Sequence, residues 1–263
     1  MSTAKCNYYN SGQIFMNKSQ TTTSGQLFNF ESADYLEPRF PNLVGKQGLN
    51  ILRGLCSVAL FIMWNMINVL ISPGAQFIFM TMWGNSAALI TSVLSLYISI
   101  KGSENVSSKI KRWNYLLLEF VFSMEMVITI VYWTSIHPLL NQILKEAKLD
   151  GSVYQIPLQI SIHSVPLFAV CCNVVLSKIR FNPNNWTFTF IASTIFMFVN
   201  FGGSKLAGMP FYPFLPWDGS FRTYFNAVFL VLMATVLNYL CSKFIVNRLP
   251  LTPVQLTKLA KQE

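Results

Sequence analysis

Residues 49–71 have the sequence LNILRGLCSVALFIMWNMINVLI, and this stretch decides the fold because it is long and apolar enough to cross a lipid bilayer. A transmembrane helix needs about 20 predominantly apolar residues, since the hydrocarbon core is ~30 Å thick and each helical residue rises ~1.5 Å. The cluster Ser72-Pro73-Gly74 follows directly and is predicted to end the helix and turn the chain. The protein is therefore expected to span a membrane at least once.

Five further stretches of the chain have the same length and apolar character. Together with the first they predict six transmembrane helices, at residues 49–71, 76–100, 114–136, 154–176, 186–206 and 221–246. Lys101-Gly102 is expected to stop the second helix, and His137-Pro138 the third, because the residue before a proline is disfavoured in a helix. The predicted fold class is all-α: an integral membrane protein built as a bundle of six transmembrane helices.

The flanking segments are polar and give the chain a predicted organisation in three parts. These are a polar N-terminal extension, a six-helix transmembrane domain and a C-terminal tail, at residues 1–45, 46–248 and 249–263. The extension is rich in Ser, Thr, Asn and Gln and lacks the apolar core of a targeting peptide. Thr252-Pro253 is typical of a helix N-cap followed by proline, so a short surface helix is expected over residues 253–261.

The positive charge of the chain indicates its orientation in the membrane. Nineteen basic and ten acidic residues give a net charge of +9, which in a soluble chain would suggest a nucleic-acid partner. Only 11% of the residues are charged, however, and the bases lie between the apolar stretches, so no nucleic-acid partner is expected. All but four lie on the side shared by the two termini, the exceptions being Lys145, Lys148, Lys205 and Arg222. Both termini are therefore predicted to face the cytoplasm, or the matrix in a mitochondrial membrane.

Motifs of the common soluble enzymes and metal sites do not occur. The five cysteines are an odd number without a C-x-x-C pair, which supports neither a disulfide framework nor a zinc site. No G-x-S-x-G elbow, P-loop, H-E-x-x-H or dinucleotide-binding fingerprint is present. The sequence therefore predicts neither a metal nor a cofactor.

Apart from bases in the first or last turn of a span, four acidic, basic or histidine residues fall within the predicted spans, where each costs about 2.5–3.5 kcal/mol and is a functional candidate. They are Arg53, Glu119, Glu125 and His163. The two glutamates are roughly 240° apart around their helix, so they do not form a paired-carboxylate site. Glu119 is near the helix end and is expected to reach water, whereas Glu125 is expected to pack against polar groups of a neighbouring helix. His163 is compatible with a general base or with a histidine that only ties two helices together.

Four motifs along the spans occur in an order that resembles a known family. They are Phe79-Met-Thr81-Met-Trp83, Val131-Tyr-Trp133-Thr134, His163-Ser-Val-Pro166 and Gly208-Met-Pro-Phe-Tyr212-Pro-Phe-Leu215. The resemblance is to the androgen-induced transmembrane protein family, whose members include integral membrane hydrolases of fatty acid esters of hydroxy fatty acids. It covers roughly residues 50–247, and the last motif, close to Gly-x-x-x-Tyr-Pro-x-Leu, matches without a gap.

The resemblance implies a catalytic threonine in the Phe-x-Thr motif and a catalytic histidine in a later span. By position these are Thr81 and His163. The implied reaction is ester hydrolysis within the membrane, in which Thr81 attacks the acyl carbonyl and His163 takes and returns the proton. It needs no metal or cofactor, and the implied partners are membrane lipids or acyl esters.

A second hypothesis is that the protein is an inactive accessory subunit of a large membrane complex. Such a subunit, for example of a respiratory or ATP synthase assembly in the mitochondrial inner membrane, would bind lipids and contact neighbouring subunits through its N-terminal tail. Three observations motivate it: the polar tail of about 45 residues, the second tail after Val246, and the altered histidine spacing, with Ile160 where better-known members have a second histidine. Partner subunits that copurify would favour this hypothesis, and a fatty chain bound beside Thr81 would favour the hydrolase.

Overall fold

The computed structural model describes residues 36–70, 75–148 and 155–245, and regular structure in these ranges is helical, with no β-strand. The helices are α1 (Lys46–Leu70), α2 (Ala75–Ile78), α3 (Met80–Lys101), α4 (Ser108–Val131), α5 (His137–Glu146), α6 (Gln155–Leu176), α7 (Trp186–Ala207) and α8 (Phe221–Leu240). Six helical segments are long and apolar enough to cross a membrane, which confirms the predicted number of spans. The extension up to residue 35 and the expected surface helix at 253–261 lie outside the described residues.

Two apolar cores meet at the centre of the bundle. One lies among α1, α3, α4 and α6, and the other among α3, α4, α7, α8 and the loop that follows α7. The span formed by α4 is the most buried of the six because it contacts helices on both sides. Polar side chains at the start of α3 therefore lie at the boundary between the two cores.

The third span does not stop at His137-Pro138, so that prediction was wrong. The helical segment runs on from Ser108 to Glu146, over 39 residues, through a π-helical turn at Tyr132–Ile136. Proline lacks an N–H and clashes with the preceding turn of a regular α-helix, but it is tolerated in the first turn of one. The π turn ends just before α5, and this places Pro138 in the first turn of that helix.

Buried arginines fasten the segment before α1 to the end of α6. Arg53 donates from Nε to Asn173 Oδ1 (2.9 Å) and from a terminal nitrogen to the carbonyl of Leu36 (3.0 Å). Arg39 is 1% exposed and donates to two backbone carbonyls just beyond α6. The last ten residues of the predicted extension are thus attached to the bundle.

The two glutamates of α4 are both buried. Glu119 does not reach water as expected: its carboxylate accepts hydrogen bonds from the backbone N–H of Asn182 and the side chain of Asn185, in the turn between α6 and α7. The sequence indicates that Glu119 is near a helix end, but it does not show that the turn between α6 and α7 packs over this residue. Glu125 has no hydrogen-bond partner among the described residues, and it lies against the backbone of α3 at Gly84.

Gly84→Ala is expected to destabilise the bundle. An added Cβ would overlap the Glu125 carboxylate and lie 2.7 Å from Ile128 Cδ1. Overpacking of this kind costs about 1–3 kcal/mol. Thermal unfolding of the detergent-solubilised protein, followed by tryptophan fluorescence, would measure the loss. Gly202→Ala in α7 is the matched control, because its Cβ meets nothing within 4 Å; equal shifts in the two variants would contradict the prediction.

Candidate active site

Thr81 lies in the first turn of α3, directly after a break in the helix at Phe79. The backbone of Phe79 is extended (φ −98°, ψ 128°), and α3 begins at the next residue. Thr81 is buried, and its Oγ1 is 3.2 Å from Nε2 of His163 on α6. The two residues that the sequence analysis singled out are therefore within hydrogen-bond distance, although 82 positions separate them.

The second ring nitrogen of His163 determines which way this hydrogen bond runs. Nδ1 is 2.7 Å from the carbonyl oxygen of Gln159, and because a carbonyl only accepts, Nδ1 carries the proton. Nε2 is then unprotonated in the neutral ring, and the Thr81 hydroxyl donates to it. This is the arrangement of an activated nucleophile: a hydroxyl, a base in contact with it, and a third group that orients the base.

Aromatic residues around the π turn hold the imidazole in place. The ring of Tyr132 stacks on that of His163, with centroids 4.1 Å apart and planes 10° apart. His137 lies against the other end of Tyr132, with Nδ1 2.9 Å from the tyrosine hydroxyl and Nε2 3.1 Å from the Asn141 amide. The π turn therefore positions the tyrosine that supports the candidate base.

Tyr212 is a third polar group at the site, and the sequence analysis gave it no role beyond its place in the last motif. Its hydroxyl oxygen accepts from the backbone N–H of Met80 at 2.8 Å, and the side chain is 8% exposed. Burial raises the pKa of Tyr212 above its ordinary value, so the phenol keeps its proton. Because the oxygen accepts from Met80, the phenolic O–H can donate to a group bound beside Thr81.

The loop that carries Tyr212 is anchored to the start of α3. The indole of Trp217 donates to Asn200 Oδ1 (2.9 Å), and the Asn200 amide donates to the carbonyl of Ile78 (3.0 Å). Phe79 packs edge-on against the ring of Tyr212, with centroids 5.8 Å apart. The first and last motifs are thus in contact, and Phe79 helps to seat the tyrosine beside Thr81.

Two apolar cavities adjoin the site, and Thr81, His163 and Tyr212 line both. The larger, of about 200 Å³, lies between the starts of α3 and α6 and the loop after α7. The smaller, of about 20 Å³, lies on the other side, toward α7 and α8. The larger cavity therefore offers space for a hydrocarbon arm beside Thr81, whereas the smaller one has room for about one water molecule. Within the described ranges, no His, Cys, Asp and Glu side chains gather into a group that could hold a metal ion.

Six helical spans with a buried hydroxyl and imidazole between two of them define a multi-pass integral membrane protein with a polar site inside the bundle. The chain belongs to the FAR-17a/AIG1-like protein family, whose model matches residues 49–247. This confirms the family expected from the motifs and the extent expected for it. Curated proteins and solved structures gave no match. The catalytic roles of Thr81 and His163 stay predictions.

Proposed function

We propose that the protein is an intramembrane threonine hydrolase acting on fatty acid esters of hydroxy fatty acids. The observation that carries the proposal is the contact of 3.2 Å between Thr81 Oγ1 and His163 Nε2, with Nδ1 engaged by a backbone carbonyl. A free hydroxyl is a poor nucleophile at neutral pH and becomes a useful one when a base lies within hydrogen-bond reach. The apolar cavity of about 200 Å³ beside Thr81 suits a hydrocarbon arm of the ester.

In the first half of the reaction Thr81 is acylated. Its Oγ1 attacks the ester carbonyl carbon while the hydroxyl proton passes to His163 Nε2, which gives a tetrahedral oxyanion. Collapse of this intermediate breaks the bond to the alkoxide oxygen, and the imidazolium returns the proton to that oxygen. The hydroxy fatty acid leaves, and the acyl group stays on the threonine.

In the second half water replaces the hydroxy fatty acid. His163 Nε2 takes a proton from water, the hydroxide attacks the acyl-threonine carbonyl, and the proton returns to Oγ1 as that bond breaks. The products are a fatty acid and the regenerated site. The two halves together consume one water molecule and need no other reactant.

Tyr212 is the proposed donor to the oxyanion in both halves. The Met80 N–H at the start of α3 is used by the tyrosine oxygen, and the Met82 N–H bonds to the carbonyl of Phe79 (3.0 Å). The Tyr212 hydroxyl lies beside the Thr81 side chain, in an apolar environment where a hydrogen bond to developing charge is strongest.

The acyl-enzyme is the test that separates the hydrolase from the alternative. The purified full chain in lipid nanodiscs would be mixed with the palmitic ester of hydroxystearic acid, quenched in acid, digested and analysed by mass spectrometry. We expect palmitate release and a palmitoyl group on the peptide that contains Thr81. Acylation elsewhere would refute the assignment of the nucleophile. A folded chain that releases no palmitate and copurifies with other membrane subunits would support the accessory subunit instead.

A further inference from the structure

An apolar groove runs along the outside of the bundle between α7 and α8. Its volume is about 400 Å³, within the range of about 300–1,000 Å³ typical of ligand sites. Its floor is formed by the buried residues Met197, Ala227 and Val231, and its walls include Phe198 and Val228, which are 71% and 57% exposed. The groove therefore lies on the surface that these two spans present to lipid.

Lys205 provides a positive charge close to two residues that line this groove. Phe201 and Trp217 line the groove, and the Lys205 ammonium lies 5.8 Å from the centre of the Phe201 ring and donates to the Trp217 carbonyl at 2.8 Å. An ammonium has three N–H donors, and Trp217 takes one of them. A cation and the apolar groove therefore lie next to each other at Lys205.

No carboxylate of the described residues forms an ion pair with Lys205. Asp218, next to Trp217 in the chain, instead accepts from the backbone of Ser220 and the hydroxyl of Thr223 at the start of α8. Hydrogen bonds from these two residues lower the pKa of Asp218 to about 2, and they engage its carboxylate at the start of α8. The lysine charge is available to an anion from outside the chain.

The groove also adjoins the candidate active site. Met197 lines both the groove and the small cavity that contains Thr81 and His163. Met197 therefore forms part of the boundary between the groove and the small cavity. Methionine is unbranched and flexible, so its side chain changes conformation readily in a packed interior. A chain lying in the groove would contact Met197, which also borders the cavity beside Thr81.

We propose that this groove binds one fatty acyl chain that carries a free carboxylate, with the carboxylate on Lys205 and the hydrocarbon between α7 and α8. The choice of ligand rests on the proposed function, because an ester of a hydroxy fatty acid has one free carboxylate. A charge-assisted hydrogen bond from the ammonium would orient it, and the groove would cover its chain. The groove is thus the site of the hydroxy fatty acid arm and the route from the bilayer to Thr81.

Binding can be measured without turnover in the Thr81→Ala protein. Nanodiscs that contain it would be labelled with palmitate bearing a photoactivatable diazirine, and with the matching hexadecanol, which lacks the carboxylate. We expect palmitate to label peptides of α7 and α8. Lys205→Gln should weaken palmitate binding about tenfold, a change of about 1.4 kcal/mol, and leave hexadecanol unchanged. Lys205→Arg should retain binding, and Lys145→Gln, a lysine on the same predicted side of the membrane, should have no effect.

Filling the groove gives a second, independent variant. Val228→Trp places a large side chain in an exposed wall position and should reduce labelling by both compounds. Labelling spread evenly over all lipid-facing helices, or equal effects of Lys205→Gln on the two compounds, would overturn the proposal. Labelled groove peptides in a protein that hydrolyses no ester would refute the hydrolase and leave the groove site standing.

Discussion

Thr81→Ala is expected to lower ester turnover by about 10³-fold or more, because removing the nucleophile of such a site leaves only binding and oxyanion stabilisation. The loss should appear in kcat, measured as fatty acid released by the purified protein. The stability of the fold should change by only about 1 kcal/mol, the usual net value of one hydrogen bond. Thr81→Ser should keep measurable turnover, since it retains a hydroxyl next to His163.

Thr91→Ala is the matched control for this prediction. Thr91 is also a buried threonine of α3, but its hydroxyl donates to the carbonyl of Ala87 in its own helix (2.9 Å). The Thr91→Ala substitution should lower ester turnover only slightly. If Thr91→Ala and Thr81→Ala lost activity to the same extent, the effect would come from helix packing, and Thr81 would not be the nucleophile.

Tyr212→Phe is expected to lower kcat by about 10²-fold, the usual cost of removing one oxyanion donor. The substitution deletes only the hydroxyl and keeps the ring that packs against Phe79 and Phe214. Because the hydrogen bond to the oxyanion forms only in the transition state, KM should change little. Steady-state kinetics that resolve kcat from KM provide the measurement.

Tyr115→Phe controls for the loss of a buried tyrosine hydroxyl elsewhere in the bundle. The Tyr115 hydroxyl donates to the carbonyl of Arg180 (2.8 Å), away from the candidate site, so turnover should be nearly unchanged. A Tyr212→Phe protein with unchanged kcat and raised KM would mean that the hydroxyl contacts the bound substrate rather than the transition state, and the assigned role would be wrong.

The six spans could be predicted because membrane insertion depends on a local property, the length of an apolar stretch. The predicted fifth span, 186–206, differs from α7 (Trp186–Ala207) by one residue. The end of the third span was wrong because the proline rule assumes regular α-helical geometry, and the π turn at Tyr132–Ile136 depends on packing around Tyr132. The position of Glu119 was missed for a similar reason, since its partners lie more than 60 residues away.

The candidate site could be predicted only in part. Motif resemblance selected Thr81 and His163, but their distance depends on how α3 packs against α6, which no local pattern encodes. Tyr212 stood in the most specific motif, yet its contact with Met80 joins residues 132 positions apart. The motif was the signal that the tyrosine mattered, and only the packed bundle shows what it touches.

The π turn at Tyr132–Ile136 shifts the phase of the long helix that contains α4 and α5. One extra residue in a turn rotates every later side chain by about 100° relative to an uninterrupted α-helix. The residues before the turn keep Glu119 facing the turn that precedes α7, while the residues after it bring His137 round to Tyr132. The helix thereby presents two differently oriented faces along its length, and deleting one residue between Tyr132 and His137 would turn His137 away from the Tyr132 hydroxyl.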